Sequence, residues 1–165
     1  MFKPQKNNDT EANYRQLTAL AKAFAGDETD LIALLSNLSA LIKFYVEDLN
    51  WAGFYILKGK ELVLGPFQGL PACVRIAIGK GVCGKAALEG KPVMVPDVHQ
   101  FPGHIACDSA SVSELVIPFF KDGKVAGVLD LDSPLPNRFT DIEAGYLGEI
   151  ADLITSFLNS PASYC

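Results

Sequence analysis

Residues 51–67, WAGFYILKGKELVLGPF, decide the fold, because here a helical hydrophobic period gives way to the two-residue period of β-strands. β-Forming residues fill 51–58 and 61–67, and the Gly59-Lys60 pair between them is typical of a tight hairpin turn. The chain is therefore predicted to enter an antiparallel sheet at residue 51.

Two helices are predicted before this hairpin. The first covers residues 10–25 and ends at Gly26, and the second follows the N-capping residues 27–30. Their apolar residues recur at three- and four-residue spacing, which indicates a buried stripe on each helix. The stripes are Leu17, Leu20, Ala21 and Phe24 in the first helix, and Leu31, Leu34, Leu35, Leu38, Leu41, Ile42 and Tyr45 in the second.

Four more strands and two helices are predicted after the hairpin. The strands cover 74–78, 92–95, 114–120 and 125–131, and an Asp122-Gly123 turn joins the last two. A short helix over 83–88 ends at Gly90, and Thr140 with Glu143 forms a capping box for the last helix. We expect that helix to bury Tyr146, Ile150, Leu153, Ile154 and Phe157.

This order of elements predicts an α+β fold with a central antiparallel sheet of six strands. The N-terminal pair of helices and the C-terminal helix are expected on one face of the sheet. Residues 96–113 are then expected to cover the other face, which is the usual anatomy of a small-molecule pocket.

Length and composition predict one domain at residues 10–160, with a flexible segment 1–9 and a tail 161–165. The net charge is −5, and the 14 Lys and Arg residues do not cluster, which argues against a nucleic-acid surface. We also expect no membrane span and no secretory signal, because the chain lacks suitable apolar runs. A cytoplasmic protein is therefore predicted, where thiols are kept reduced.

The covering segment and the start of the next strand read PDVHQFPGHIACDSASVSELVIP at 96–118, and this stretch is dense in reactive side chains. We interpret it as an active-site loop with Cys107 at its centre. The DSAS run after Cys107 could open a helix, and a thiol at a helix start has a lowered pKa. Structural roles are the alternatives: Cys107 could be inert, and His99 and His104 could hold the turn through hydrogen bonds instead of transferring protons.

The other three cysteines are Cys73, Cys83 and Cys165. Cys73 and Cys83 are ten positions apart and no C-x-x-C pair occurs, so a zinc site built from Cys73, Cys83, Cys107 and His104 is poorly patterned. Cys165 is interpreted as a solvated thiol in the tail. Inert, redox and metal-binding roles thus remain open for Cys73 and Cys83.

Three acidic residues lie at adjacent ends of two neighbouring predicted strands. Asp130 and Asp132 lie at the end of the sixth strand and point to the same sheet face, and Glu114 begins the fifth strand beside it. These carboxylates could form a solvated rim, or a cluster that binds an ammonium group and keeps one acid protonated. Trp51 and Tyr55 also share one face of their strand, where core packing is the alternative to a ligand-binding wall.

Four stretches together resemble the free methionine-(R)-sulfoxide reductases, which are single GAF-domain enzymes: NWAGFYIL, GPFQGLPACVRIAIGKGVCG, the 96–118 loop sequence and GVLDLDSP. The resemblance covers residues 50–140. It implies a GAF-like α/β/α fold, commonly dimeric, and the reduction of free methionine-(R)-sulfoxide to methionine, a reaction associated with oxidative stress. The alternative is a non-catalytic GAF module that senses a small molecule.

The resemblance also assigns the thiols. Cys107 is implied to be the catalytic thiol, which attacks the sulfoxide sulfur and becomes a sulfenic acid. Cys73 and Cys83 are implied to resolve it to a disulfide, and the Gly-rich stretch around Cys83 favours that residue as the first to do so. A thioredoxin-type dithiol then recycles the enzyme. No metal and no organic cofactor is expected.

The remaining implied residues bind the substrate. Glu114, Asp130 and Asp132 match the pocket carboxylates, and either Glu114 or Asp132 is expected to protonate the departing oxygen. The aromatic wall corresponds to Trp51 and Tyr55. Backbone N–H groups at Ile105 and Ala106 are expected to bind the substrate carboxylate or the sulfoxide oxygen.

Overall fold

The computed structural model describes residues 4–103 and 109–161. The helices are α1 (Thr10–Ala25), α2 (Leu31–Tyr45), α3 (Gly81–Glu89) and α4 (Asp141–Leu158), with a 3₁₀ turn at Val98–Gln100. The strands are β1 (Trp51–Lys58), β2 (Glu61–Gln68), β3 (Arg75–Ala77), β4 (Val93–Val95), β5 (Ser113–Lys121) and β6 (Lys124–Ser133).

The six strands form one sheet in the order β3-β2-β1-β6-β5-β4, and all pairings are antiparallel. Both predicted hairpins are present: Lys58 pairs with Glu61, and Lys121 pairs with Lys124. Asp122 and Gly123 both have positive φ, as the two-residue turn before β6 requires. The α+β fold expected from the sequence is confirmed.

Helices α1, α2 and α4 pack on one face of the sheet, as expected. The capping box of Thr140 and Glu143 opens α4, and the Glu143 carboxylate also accepts hydrogen bonds from the Tyr14 hydroxyl and the Arg138 guanidinium. The buried stripe of α4 is shifted from the expected one. Leu147 and Ala151 are buried with Ile150, Ile154 and Phe157, while Tyr146 and Leu153 are only half-buried.

The opposite face of the sheet is covered by α3 as well as by the segment that follows β4. Helix α3 begins at Gly81, two residues earlier than expected, so Cys83 lies in a regular helical turn and is buried. Gly84 allows this helix to lie against β3, because a Cβ at Gly84 would come 2.5 Å from the carbonyl oxygen of Ala77. The Gly-rich stretch is therefore a tightly packed helix start.

Backbone hydrogen bonds attach both ends of the covering segment to the sheet. The Val98 N–H donates to the Val112 carbonyl, and the Val112 N–H donates to the Ser133 carbonyl at the end of β6. The Ser113 hydroxyl adds a bond of 2.7 Å to the Leu135 carbonyl. Residues 98 and 112 are thus held together, although fourteen positions separate them. In the described part of the chain, no helix is long and apolar enough to cross a membrane.

Substitution of Gly84 by Ala should destabilise the protein by about 1–3 kcal/mol, because the added methyl group forces α3 away from the Ala77 carbonyl. The matched control is Gly148→Ala in α4, where an added Cβ would meet nothing within 4 Å. Helix propensity should make that change stabilising by about 0.5–1 kcal/mol. Urea unfolding measures both, and equal effects of the two substitutions would contradict the packing described for α3.

Candidate functional site

The register of three neighbouring strands brings the predicted carboxylates together. Glu114 on β5 lies opposite Asp132 on β6, and Asp132 lies opposite Trp51 on β1. Asp130 is two residues before Asp132 and therefore faces the same way. Glu114 and Asp130 are each 6% exposed, whereas Asp132 is half-buried. The solvated-rim alternative thus does not apply to Glu114 and Asp130.

Helix α3 adds a thiol to this cluster. The Cys83 Sγ donates a hydrogen bond of 3.9 Å to Oε1 of Glu114. One side-chain atom from each of Cys83, Glu114 and Asp130 lies within 4.8 Å of the others. Oδ1 of Asp130 is buried and has no hydrogen-bonding partner among the described residues. An acceptor atom of this kind is suited to a ligand that brings a donor.

Burial favours the neutral form of both buried carboxyls. It raises the pKa of Asp130 to about 7. The pKa of Glu114 is also raised, first by burial and then by the negative charges of Asp130 and Asp132. Both shifts favour the protonated forms of these groups, which equips the cluster to donate a proton as well as to bind a cation.

The described cysteines differ in redox state and exposure. Cys73, half-buried before β3, is disulfide-bonded, and Cys83 is a free thiol. Cys107 and Cys165 lie outside the described residues. Burial, followed by the charges of Asp130 and Glu114, raises the pKa of the Cys83 thiol. Since this disulfide occupies Cys73, the four-residue zinc set considered from the sequence is not assembled in this state.

The predicted aromatic wall is a stack of three rings. The Trp51 ring lies 5.9 Å from that of Tyr55 and 5.3 Å from that of Phe67, measured between centroids. The Tyr55 hydroxyl donates a hydrogen bond of 2.9 Å to the Cys73 carbonyl. Burial raises the pKa of Tyr55, so this hydroxyl remains a donor. The wall thus connects the carboxylate cluster with the disulfide-bonded cysteine.

Sequence reasoning missed Phe67 and the role of Gly53. A Cβ at Gly53 would overlap with the Cβ of Phe67 and come 2.7 Å from the Trp51 ring, so only glycine leaves room for the stack. An isolated glycine inside a predicted strand is the signal that marks such a close approach.

The sequence also predicted roles for two histidines and for backbone N–H groups of the 96–113 segment. His99 lies in the 3₁₀ turn, and its Nδ1 is 2.8 Å from Oδ1 of Asp97. Its side chain is 66% exposed, so its observed role is to hold the turn. His104, Ile105, Ala106 and Cys107 lie outside the described residues, and their predicted roles stay predictions.

A comparison with protein families matches residues 32–159 to the GAF domain. The free methionine-R-sulfoxide reductase of Escherichia coli is 50% identical over 81% of this chain and 81% of its own length. The enzyme of that name from Saccharomyces cerevisiae is 41% identical over 90% and 87%. The chain belongs to the free methionine-R-sulfoxide reductase family of GAF-domain proteins.

Solved structures of this family agree with the fold. The Neisseria meningitidis free methionine-R-sulfoxide reductase, determined with its substrate, superposes with a TM-score of 0.87. It is 42% identical, and the match covers 96% of this chain and 93% of that one. The family resemblance that the sequence indicated is therefore confirmed, and the protein is an oxidoreductase of this family.

Substitution of Asp130 by Asn should stabilise the protein at pH 8 by about 4 kcal/mol. A carboxyl whose pKa is raised to about 7 in the folded state and is about 4 when unfolded binds more protons when folded. Its presence therefore costs stability progressively as pH rises from about 4 to 7, and the neutral amide removes that cost.

Urea unfolding at pH 4 and pH 8 measures this effect. The gain should be absent at pH 4, and the exposed Asp152→Asn should show none at either pH. A loss of stability for Asp130→Asn at pH 8 would mean that the buried carboxylate is better satisfied than its environment indicates.

Proposed function

We propose that this protein reduces free methionine-(R)-sulfoxide to methionine, with Cys107 as the catalytic thiol and Cys73 as the thiol that resolves it. One observation carries the proposal: a buried, partly protonated carboxyl cluster lies beside an aromatic wall whose Tyr55 is hydrogen-bonded to disulfide-bonded Cys73. Membership of the reductase family supports it.

In the first step the Cys107 thiolate attacks the sulfoxide sulfur. Attack forms a bond between Cys107 Sγ and the substrate sulfur, and protonation turns the sulfoxide oxygen into a hydroxyl group on that sulfur. The hydroxyl then transfers to Cys107 Sγ as the S–S and S–O bonds to the substrate sulfur break, which gives a Cys107 sulfenic acid and releases methionine. Two electrons thus pass from the thiol to the sulfoxide. Glu114 is proposed as the proton donor because burial and the charges of Asp130 and Asp132 raise its pKa, which favours its protonated form.

In the second step the Cys73 thiol attacks the sulfenic acid, a disulfide forms and water leaves. The disulfide at Cys73 supports this order, while Cys83 remains a free thiol. A dithiol protein of the thioredoxin type then reduces the disulfide by exchange. We place this cycle in the cytoplasm, where such reductants act, in a protein that forms a homodimer and serves under oxidative stress.

The substrate amino group is proposed to lie against Asp130 and Asp132. Oδ1 of Asp130 is buried without a partner among the described residues, so an ammonium group would satisfy it. Trp51 and Phe67 would enclose the methyl sulfoxide end of the substrate. Binding of the ammonium also favours ionised Asp130, which leaves the cluster's proton on Glu114.

A ligand-sensing GAF module is the alternative function. Such a module would use the carboxylates and the aromatic wall for binding but would have no use for a disulfide at Cys73. Turnover of both sulfoxide epimers with dithiothreitol as reductant separates the two functions. We expect methionine from the R epimer only, whereas binding of either epimer without methionine formation would identify a sensor.

Three cysteine variants test the assignment of the thiols. Cys107→Ser should abolish methionine formation, because no other group carries the sulfenic acid. Cys73→Ser should still form methionine once in the reduced enzyme but lose thioredoxin-coupled turnover, because the sulfenic acid is not resolved. Methionine quantified by chromatography in single-turnover and steady-state reactions measures both effects.

Cys165→Ser is the matched control and should turn over like the unmodified protein. Peptide mapping of the oxidised protein should find a Cys73–Cys107 disulfide. An active Cys107→Ser variant would refute the assigned nucleophile, and a disulfide between Cys73 and Cys165 would refute the assigned pair.

Acetylation of the substrate amino group should lower kcat/KM by about tenfold to a hundredfold. The neutral amide loses charge-assisted hydrogen bonds to the carboxylates, which are worth roughly 1.5–3 kcal/mol each. Asp132→Asn should lower kcat/KM for the free amino acid and change that for the acetylated compound little. Similar kcat/KM for both compounds in the unmodified enzyme would show that the cluster does not recognise the amino group.

A further inference from the structure

The proposed reaction leaves one thiol of the site without a redox step. Cys83 is a free thiol and is 3% exposed, while Cys73 forms the disulfide. The Cys83 Sγ lies in the first turn of α3 and donates its hydrogen bond to Oε1 of Glu114. A thiol aimed at the proposed proton donor needs an explanation other than disulfide formation.

Burial and packing make Cys83 unsuited to resolve a sulfenic acid. A resolving thiol must reach the sulfenic sulfur and react as a thiolate. Burial and the charges of Asp130 and Glu114 raise the pKa of Cys83, which disfavours the thiolate. The helix that carries the thiol is held closely against β3, since a Cβ at Gly84 would already overlap with the Ala77 carbonyl.

We propose that Cys83 is a positioning residue whose S–H hydrogen bond orients the Glu114 carboxyl for proton donation to the sulfoxide. This inference rests on the proposed reductase function. It replaces the redox role that the family resemblance implied for Cys83 with a role that acts through Glu114. A neutral thiol is suited to it, because the S–H group donates only while it keeps its proton.

The hydrogen bond from Cys83 also counteracts the effect of the other described groups that face Glu114, which raise the pKa of its carboxyl. Asp130 and Asp132 on β6 favour its protonated form, and Tyr55 on β1 contributes no positive charge. A donor that bonds to the ionised carboxylate lowers its pKa. The Cys83 hydrogen bond therefore opposes the rise in the pKa of Glu114, as it does for Asp130, the other buried carboxyl beside it.

The test compares Cys83→Ala, which removes the donor, with Cys83→Ser, which keeps one. NMR of protein labelled with ¹³C at the glutamate carboxyl carbons follows the titration of Glu114. Its midpoint should move to higher pH in Cys83→Ala and stay near the original value in Cys83→Ser. Single-turnover methionine formation at the pH optimum should fall about threefold to tenfold in Cys83→Ala, as expected for the loss of one hydrogen bond, and should be restored by Ser.

The matched control is Val82→Ala, which shortens a buried neighbour on α3 that is not part of the carboxyl cluster. It should lower stability without moving the Glu114 midpoint. If Cys83→Ala does not fold, Cys83→Val takes its place as a variant of similar volume without a donor. An unchanged Glu114 midpoint in the variant without a donor would overturn the proposal, as would a disulfide at Cys83 in the oxidised enzyme.

Failure of the reductase function gives a different result. In that case the unmodified protein forms no methionine at any pH. The Glu114 titration requires no turnover, so it still decides whether the Cys83 hydrogen bond acts on the carboxyl.

Discussion

The pairing of β6 with both β1 and β5 is the constraint on which the site depends. This register places Glu114 opposite Asp132 and puts Asp130 on the same face, beneath α3. Burying carboxyls is costly unless they are neutralised or partnered. A shift of one residue would turn them to the face covered by α1, α2 and α4, where they would point into a predominantly apolar core.

The apolar face of the sheet supplies the stability that allows this burial. Leu35, Leu38 and Ile42 of α2 are completely buried in a core that includes side chains from α1, α4 and the sheet. Each fully buried side chain of this size contributes roughly 1.5–3 kcal/mol. The two faces of the sheet therefore have different roles. One stabilises the domain, while the other buries the carboxyls of Glu114 and Asp130 at a cost in free energy that a bound cation would reduce.

Local signals predicted most of the fold. The Asp122-Gly123 turn, the Thr140 capping box and the hydrophobic periods gave strand and helix bounds within one or two residues of those observed. The same-face placement of Asp130 and Asp132 also followed from the strand period alone. Burial of Glu114 depends on α3, which is distant in sequence, so local patterns could not reveal it. The stack of Phe67 on Trp51 depends on the register shift in the β1–β2 hairpin between Gly53 and Tyr55, which residue spacing alone does not set.

Cys73 and Cys83 differ in solvent exposure, and this difference decides which of them an external reductant can reach. An incoming reductant must bring its own thiolate to a sulfur of the disulfide, so recycling requires an accessible cysteine. Cys73 is half-buried in the segment between Leu70 and Val74, two residues that are 65% and 63% exposed, whereas Cys83 is buried on the face of α3 that packs against the sheet. The Tyr55 hydrogen bond to the Cys73 carbonyl links this accessible end to the buried carboxyls. Under the proposed mechanism, the reductant therefore approaches at the β3 end, while the substrate amino group is recognised at the buried end.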